Sequence, residues 1–139
     1  MSDQQIEVLS QEEAIFVEKA EGTQMNYFLY PEFEIHQNIL PAQTIQGWHQ
    51  HQKIEETLVM TAGSIVVETI VAGEKLSQTC VKGDVIRMKK SLHRIINPQE
   101  ITAEFIVFRF VPQGQNQQEV IKTDKVEFSQ AEVAALLKK

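Results

Sequence analysis

The stretch from Gly47 to Gly63 constrains this chain more than any other part of the sequence. It holds two of the four histidines, His49 and His51, which are separated by one residue. Alternate side chains on a β-strand point to the same face, so the two imidazoles are predicted to project together. The carboxylate of Glu56 follows after a short polar break. Two imidazoles and a carboxylate at one point are typical ligands of a divalent metal, and His93 is the natural candidate for a fourth ligand.

Two adjacent glutamates, Glu55 and Glu56, compete for the carboxylate position. The alternation of side chains along a strand favours Glu56. If Glu56 points inward, Leu58 and Met60 point inward with it, and Glu55 faces outward together with Thr57. The alternative interpretation of all these polar residues is that they merely line the mouth of a barrel.

The spacing of this stretch resembles the first motif of the cupins. His49-x-His51 is followed by four residues, Glu56, six residues and Gly63. In that family the residues matching His49, His51, Glu56 and His93 are the metal ligands, so the resemblance implies the same four here. The spacing to Gly63 also selects Glu56 over its neighbour.

The second cupin motif is recognisable but altered. Gly83 is followed by His93, three residues and Asn97, in a segment that is one residue short. Met88 stands where the family has a proline, and Lys90 stands where it has a glycine. The resemblance covers roughly residues 35–111. It implies a small single-domain cupin of the cupin 2 type, which is an all-β protein with a double-stranded β-helix or jelly-roll barrel.

Independent strand signals agree with an all-β protein. Short segments rich in β-branched and aromatic residues alternate with Gly, Pro and Asn turns, a pattern typical of a sandwich or barrel. The predicted strands are 26–30, 33–40, 56–60, 64–71, 76–81, 85–88, 93–96 and 104–111.

The barrel core is predicted to span 33–112. Residues 1–32 form an N-terminal extension in which a capping box at Ser10 predicts a short helix through about Ala20, whereas 14–17 has the composition of a strand, and the sequence does not decide between the two. Residues 113–139 are predicted to form a polar linker, an edge strand at Val120-Ile121 and a C-terminal helix. That helix opens at a second capping box, which begins at Ser129.

Composition excludes several classes of protein. The 139 residues suit one domain, and the net charge of −6 disfavours nucleic acid as a partner. No apolar run approaches the roughly 20 residues of a membrane span, and the polar N-terminus does not have the composition of a secretory signal. Cys80 is the only cysteine, which excludes an internal disulfide and fits the cytoplasm.

The mixed nitrogen and oxygen ligand set suits Fe, Mn, Ni, Co or Zn. We therefore expect a divalent transition metal as cofactor and a small molecule as ligand or substrate. Three imidazoles and a carboxylate suit Fe(II), which favours a dioxygenase-like enzyme. A sugar isomerase or epimerase and a non-catalytic small-molecule-binding or sensing module remain as alternatives. No catalytic residue beyond the metal ligands is identified from the sequence.

Three further residues raise separate questions. Arg109 interrupts an apolar strand, so it is predicted either to bind a substrate anion or, preferably, to form an ion pair at an interface. His36 belongs to neither motif. Trp48 points to the opposite face of the strand from His49 and is expected outside the pocket, at a subunit contact.

Exposed strand edges and the C-terminal helix favour a homodimer.

Overall fold

The computed structural model describes residues 4–111, 121 and 123–137. The described chain is mostly β-structure, with a short 3-10 helix near its start and an α-helix near its end. The 3-10 helix is Gln11–Glu13, and the strands are β1 Ile15–Glu18, β2 Gln24–Leu29, β3 Phe33–Leu40, β4 Thr44–Ile45, β5 Trp48–His51, β6 Glu55–Ala62, β7 Ser64–Val71, β8 Glu74–Val81, β9 Val85–Arg87, β10 Leu92–Asn97, β11 Ala103–Phe110 and β12 Lys125–Phe128, followed by helix α1 Gln130–Leu136.

The strands form two antiparallel sheets that face each other. One sheet has the order β1-β2-β3-β11-β6-β9, and the other has the order β12-β5-β10-β7-β8, with β4 also pairing with β10. From β3 onwards the chain passes repeatedly from one sheet to the other, which is the arrangement of a double-sheet jelly roll. The predicted all-β fold with a short C-terminal helix is therefore confirmed.

Strand register places the polar and the apolar interior at opposite ends of the barrel. The inward residues of β3 are polar from Glu34 to Asn38 and become apolar at Leu40. Antiparallel β11 sets Phe105 opposite Asn38, and Arg109 opposite Glu34. One end is thus filled by ionisable side chains. The other end is a close-packed apolar core of Leu40, Leu58, Met60, Ile65, Val67, Cys80, Met88, Ile95, Ala103, Phe105 and Val107.

The strand alternative holds for the N-terminal extension, and the helix predicted through about Ala20 is wrong because only a three-residue 3-10 helix forms. The capping box at Ser10 opens the 3-10 helix, and β1 follows directly. Strands β1 and β2 extend the sheet of β3. The boundaries of the barrel core at 33 and 112 stay a prediction. The described part of the chain contains no helix that is long and apolar enough to cross a membrane.

The C-terminal helix begins where the sequence predicts. Ser129 caps α1, its hydroxyl accepts a hydrogen bond from the backbone N–H of Glu132, and the Glu132 side chain completes the capping box. The predicted polar linker from 113 lies outside the described residues, as does Val120. Ile121 has a helical rather than an extended backbone.

Gly63 closes the turn between β6 and β7 and tolerates no side chain. Its φ is +69°, and a Cβ there would lie 2.8 Å from the carbonyl oxygen of Thr102 and 3.0 Å from the Cα of Ala103. We expect Gly63→Ala to lower the free energy of unfolding by about 3 kcal/mol, because both contacts are with backbone. Urea denaturation measures this loss.

The matched control for this substitution is Gly47→Ala. A Cβ at Gly47 would have no neighbour within 4 Å, and Gly47 is not among the glycines with positive φ. Its effect should stay within about 0.5 kcal/mol. Equal losses at the two positions would contradict the steric explanation.

Candidate metal centre

Strands β5 and β10 bring three imidazoles to one face. His49 lies directly opposite His93 in the antiparallel pairing, and their ring centroids are 4.4 Å apart. His51 is two residues further along β5 and therefore shares the face of His49. All three side chains are buried. The predicted projection of His49 and His51 to one side of a strand thus brings both towards His93.

The carboxylate of Glu56 reaches the same point from β6, on the opposite sheet. Its Oε2 lies 3.5 Å from His51 Nε2, and its Oε1 lies 3.9 Å from His93 Nε2. One ligand atom each from His49, His51 and Glu56 can be chosen so that all three lie within 4.8 Å of one another. His93 is not part of this tightest group, although it contacts both Glu56 and the ring of His49.

Backbone carbonyls select the tautomers of two of these histidines. His49 Nδ1 lies 3.1 Å from the carbonyl oxygen of Gly47, and His93 Nδ1 lies 3.0 Å from that of Ser91. A carbonyl can only accept a hydrogen bond, so each Nδ1 carries the proton. The lone pair of each ring is therefore on Nε2, as in histidines that ligate metals.

Several ring nitrogens in the site have no hydrogen-bond partner. They are Nε2 of His93 and both nitrogens of His51, and all are fully enclosed. Buried polar atoms are normally paired, since an unpaired one costs about 1–3 kcal/mol. A divalent cation would satisfy these atoms, and the combination of imidazole with carboxylate suits the transition metals. The residues present therefore fit a metal ion.

Burial keeps the imidazoles neutral, which is the form that binds metal. It lowers the pKa of His49 to about 3, with a further contribution from His93, and it lowers the pKa of His51 to about 4 against the opposing effect of Glu56. The pKa of His93 is lowered for the same reason.

Glu56 is ionised although it is buried. Burial opposes its ionisation, but the charge of Arg109 and then the surrounding imidazoles outweigh that effect and lower its pKa. Arg109 Nε donates a short hydrogen bond to Glu56 Oε2. Arg109, on β11, also lies opposite Glu34 of the neighbouring strand β3, and its Nη1 is 3.5 Å from Glu34 Oε1.

Arg109 thus forms its ion pairs inside the barrel, with Glu34 on one side and Glu56 on the other, as the central member of a three-strand row. The predicted ion pair of Arg109 is confirmed. The predicted location at an interface is not needed to explain this ion pair, because both carboxylates belong to the same chain. Arg109 contacts one oxygen of Glu56, and the other oxygen faces His93.

A second polar group, which the sequence did not reveal, adjoins this row. His36 is 1% exposed, its Nδ1 accepts a hydrogen bond from Asn38 Nδ2 at 2.8 Å, and its ring packs on Tyr27. Because that lone pair is used by Asn38, the proton of His36 is on Nε2, which lies 3.5 Å from Glu34 Oε1 without forming a hydrogen bond. His36 therefore lies in the barrel interior without the free lone pair of a metal ligand.

No protein-family profile matches this sequence, and no curated protein matches it by sequence. Solved structures do match by shape. A cupin 2 conserved barrel domain protein from Salinispora arenicola aligns over 80% of this chain and 92% of its own, with a TM-score of 0.59 and 14% identity. The chain has a cupin fold. This confirms the fold that the two motifs implied.

Two further cupin-like neighbours differ from each other in what they do. A sugar phosphate isomerase of the cupin superfamily from Silicibacter pomeroyi aligns over 63% of this chain, with a TM-score of 0.54 and 17% identity. The present chain spans 59% of that protein's length. Drosophila melanogaster CENP-C, solved bound to CAL1, aligns over 73% of this chain and 84% of its own, with a TM-score of 0.62 and 19% identity. At these identities the likeness establishes the fold alone.

The altered second motif still forms the turn that a cupin needs before its last histidine. Met88 is buried in the core, and its carbonyl accepts hydrogen bonds from both the N–H and the hydroxyl of Ser91. Lys89 takes the left-handed conformation, with φ of 53°. The turn is therefore closed by polar contacts rather than by the proline and glycine of the family.

Asn97, the last residue of that motif, joins separate parts of the cupin barrel. Its Nδ2 donates to the carbonyl oxygens of Leu40, Pro41 and Ile101, and its Oδ1 accepts from the N–H of Gln99. Its side chain is thus structural, and it fixes the end of β10 that follows His93.

Trp48 faces away from the candidate metal centre, as strand parity predicts. It is 3% exposed and packs with Leu92 and with Val133 of α1, while the guanidinium of Arg94 lies 4.9 Å above its ring. The subunit contact expected at Trp48 is not needed to bury it, because the chain's own C-terminal helix already covers it.

Asp124 anchors the loop between the two halves of the first motif. Its Oδ2 accepts backbone hydrogen bonds from Gln52, Lys53 and Ile54, at 2.9, 2.8 and 3.0 Å. That loop is all that separates His51 from Glu56 along the chain. Sequence reasoning missed this residue, because it lies about 70 positions away and belongs to no motif.

Replacing Asp124 by alanine should therefore loosen the candidate metal centre. Three backbone donors would lose a charged acceptor, so we expect a loss of about 3 kcal/mol in the free energy of unfolding and a 10- to 100-fold weaker affinity for metal. Urea denaturation and a competition titration with a chromophoric chelator measure the two effects.

Asp84→Ala provides the control for Asp124→Ala. Asp84 Oδ2 accepts one backbone hydrogen bond, from Val81, in an exposed turn. Its loss should cost about 1 kcal/mol and leave metal affinity unchanged. An Asp124→Ala protein that binds metal like the wild type would contradict the anchoring role.

Proposed function

We propose that this cupin binds one divalent transition metal through His49, His51, Glu56 and His93. The observation that carries the proposal is the set of buried ring nitrogens of His51 and His93 that lack any partner beside an ionised carboxylate. Iron, manganese, nickel, cobalt and zinc all suit such ligands, and supply in the cell would decide among them.

The chain's own residues prepare the site for such an ion. The carbonyls of Gly47 and Ser91 fix the rings of His49 and His93, and Arg109 orients the carboxylate of Glu56. A bound metal would supply Lewis-acid chemistry and open coordination positions.

We further propose a dioxygenase-like enzyme that acts on a small organic substrate. The support is the ligand set of three imidazoles and one carboxylate, which suits Fe(II). A homodimer in the cytoplasm stays a prediction, as does the absence of a nucleic-acid partner.

Isomerisation is the second candidate, and a specific observation favours it. The sequence offered no second acid or base near the metal, but Lys19 and Glu34 line the cavity that His51 also lines. Burial, with the neighbouring Lys125, lowers the pKa of Lys19 to about 8, close to the range of a general base. The sugar phosphate isomerase among the structural neighbours agrees with this candidate.

A non-catalytic role is the remaining alternative. The neighbour solved as a complex of CENP-C with CAL1 is an example of this fold in a protein assembly. A module that captures a small ligand would use the same cavity without turnover.

Elemental analysis followed by an oxygen-consumption screen distinguishes these functions. We expect close to one transition metal per chain, and oxygen uptake with one of a set of small thiols, diketones or phenols. Uptake should disappear in His49→Ala and Glu56→Ala proteins and persist in His36→Ala. A protein that holds no metal and cannot be loaded would exclude the enzyme. A metal-loaded protein that consumes no oxygen but converts an aldose to a ketose would favour the isomerase.

A further inference from the structure

A cavity of about 510 Å³ opens beside the candidate metal centre. It lies between the N-terminal strands and the strand that follows Asp124, and His51 and Arg109 form part of its wall. Neither cupin motif contributes the rest of its lining.

One part of the cavity wall is aliphatic. Ile15 and Val17 of β1, Leu29 of β2, and Ile121 contribute it. Three of these side chains are also unusually exposed for their type, with Ile15 at 52%, Val17 at 37% and Leu29 at 40%. They offer apolar surface that a bound molecule would remove from water.

The remainder of the wall is polar and has a net positive charge, because three cationic side chains face one carboxylate, Glu34, beside Tyr27 and His51. Lys19 and Lys125 both line it together with Arg109, so two ammonium groups share one cavity wall. Such a pair is mutually repulsive. The pKa of Lys19 is accordingly lowered to about 8, first by burial and then by the charge of Lys125.

Among the residues that the structure describes, the carboxylates near the cavity do not relieve this repulsion. Glu34 and Glu56 are both engaged by Arg109. The ion-pair contact of Lys125 is Glu127 Oε1 at 3.6 Å, but the Glu127 side chain is 77% exposed, so solvent screens that contact. Glu21 acts on Lys19, yet its effect is smaller than that of burial and of Lys125.

We propose that this cavity binds a small amphipathic organic anion. The anionic head group lies between Lys19 and Lys125, and the hydrocarbon body packs on Ile15, Val17 and Leu29. Carboxylates and phosphate esters share the required head-group chemistry. Because His51 lines the same cavity, the bound molecule lies next to the metal ligands.

That this anion is the substrate rests on the proposed function, whereas its binding does not. Binding can therefore be measured in metal-free protein. A protein that binds the anion but no metal would retain this inference and lose the proposed function. A protein that binds metal but binds anions no better than neutral analogues would retain the proposed function and lose this inference.

Calorimetric titration of the metal-free protein with hexanoate tests the proposal, with hexanamide as the neutral analogue. Hexanoate should bind at least tenfold more tightly than hexanamide, and its affinity should fall as salt is added. Hexyl phosphate distinguishes the head groups. Tighter binding of hexyl phosphate than of hexanoate would assign a phosphate ester, and weaker binding would assign a carboxylate.

Lys19→Met and Lys125→Met remove the charge and keep most of the aliphatic stem. Each should weaken hexanoate binding at least fivefold. Neither variant should melt at a lower temperature than wild type, because each relieves the repulsion within the pair. Lys82→Met, in an exposed turn, should bind like wild type. Equal affinity for hexanoate and hexanamide, or wild-type affinity in both lysine variants, would overturn the proposal.

Discussion

Replacing His51 by alanine should leave a folded protein that no longer retains a transition metal. Both ring nitrogens of His51 lack a hydrogen-bond partner, so the substitution breaks no internal hydrogen bond. It removes one of the three groups whose ligand atoms lie within 4.8 Å of one another. We expect metal affinity to fall by more than about a hundredfold, since even residues that only orient ligands contribute 10- to 100-fold. Elemental analysis after dialysis measures the effect.

His36→Ala is the matched control for this substitution. His36 and His51 are both buried histidines, at 1% and 2% exposure, and both adjoin a glutamate. Only His51 has a free lone pair, because Asn38 donates to His36. The control should lose comparable packing and keep the metal. Equal metal loss in both variants would show that general loosening of the barrel, and not ligand removal, is responsible.

Acidification should destabilise the metal-free protein strongly. In the unfolded chain a histidine has a pKa near 6.5. In the folded chain burial lowers the pKa of His49 to about 3 and that of His51 to about 4. Between pH 6.5 and 4.5 the unfolded state therefore binds protons that the folded state does not, so the free energy of unfolding falls as the pH falls.

The expected size of this effect is at least about 4 kcal/mol over those two pH units, since each such histidine contributes about 1.4 kcal/mol per unit. The pKa values of His36 and His93 are also lowered by burial and add to the loss. Urea denaturation at a series of pH values, with a chelator present, measures it. The slope should be shallower in His51→Ala by about one proton. A stability that is constant across this range would mean that the imidazoles are accessible to protons.

The sequence was sufficient to predict the fold because each strand has a local signal, a short apolar segment bounded by turn residues. Strands β3 and β7 have the predicted bounds, 33–40 and 64–71, and the two capping boxes at Ser10 and Ser129 both form. Strand β12 was missed because it follows a polar segment and is only four residues long. Its alternation of Val126 and Phe128 with charged residues was the available signal.

The convergence of the candidate metal ligands was predictable, but their surroundings were not. The alternation of side chains along a strand is local, so it placed His49 and His51 on one face and selected Glu56 over Glu55, and the resemblance to the cupin motif implied that all three meet. The row Glu34–Arg109–Glu56 depends on the register among three strands that are far apart in sequence. The same limit applies to Lys19 and Lys125, which line one cavity although they are more than 100 residues apart in the sequence.

Anomalous diffraction from crystals of metal-loaded protein tests the central claim most directly. We expect one strong peak inside the barrel, in direct contact with ring nitrogens of His49, His51 and His93 and with a carboxylate oxygen of Glu56. The peak should be absent from crystals of His51→Ala grown in the same way. A barrel without a peak, with the guanidinium of Arg109 filling the space among the imidazoles, would contradict the metal centre and leave Glu56 as a structural partner of that arginine.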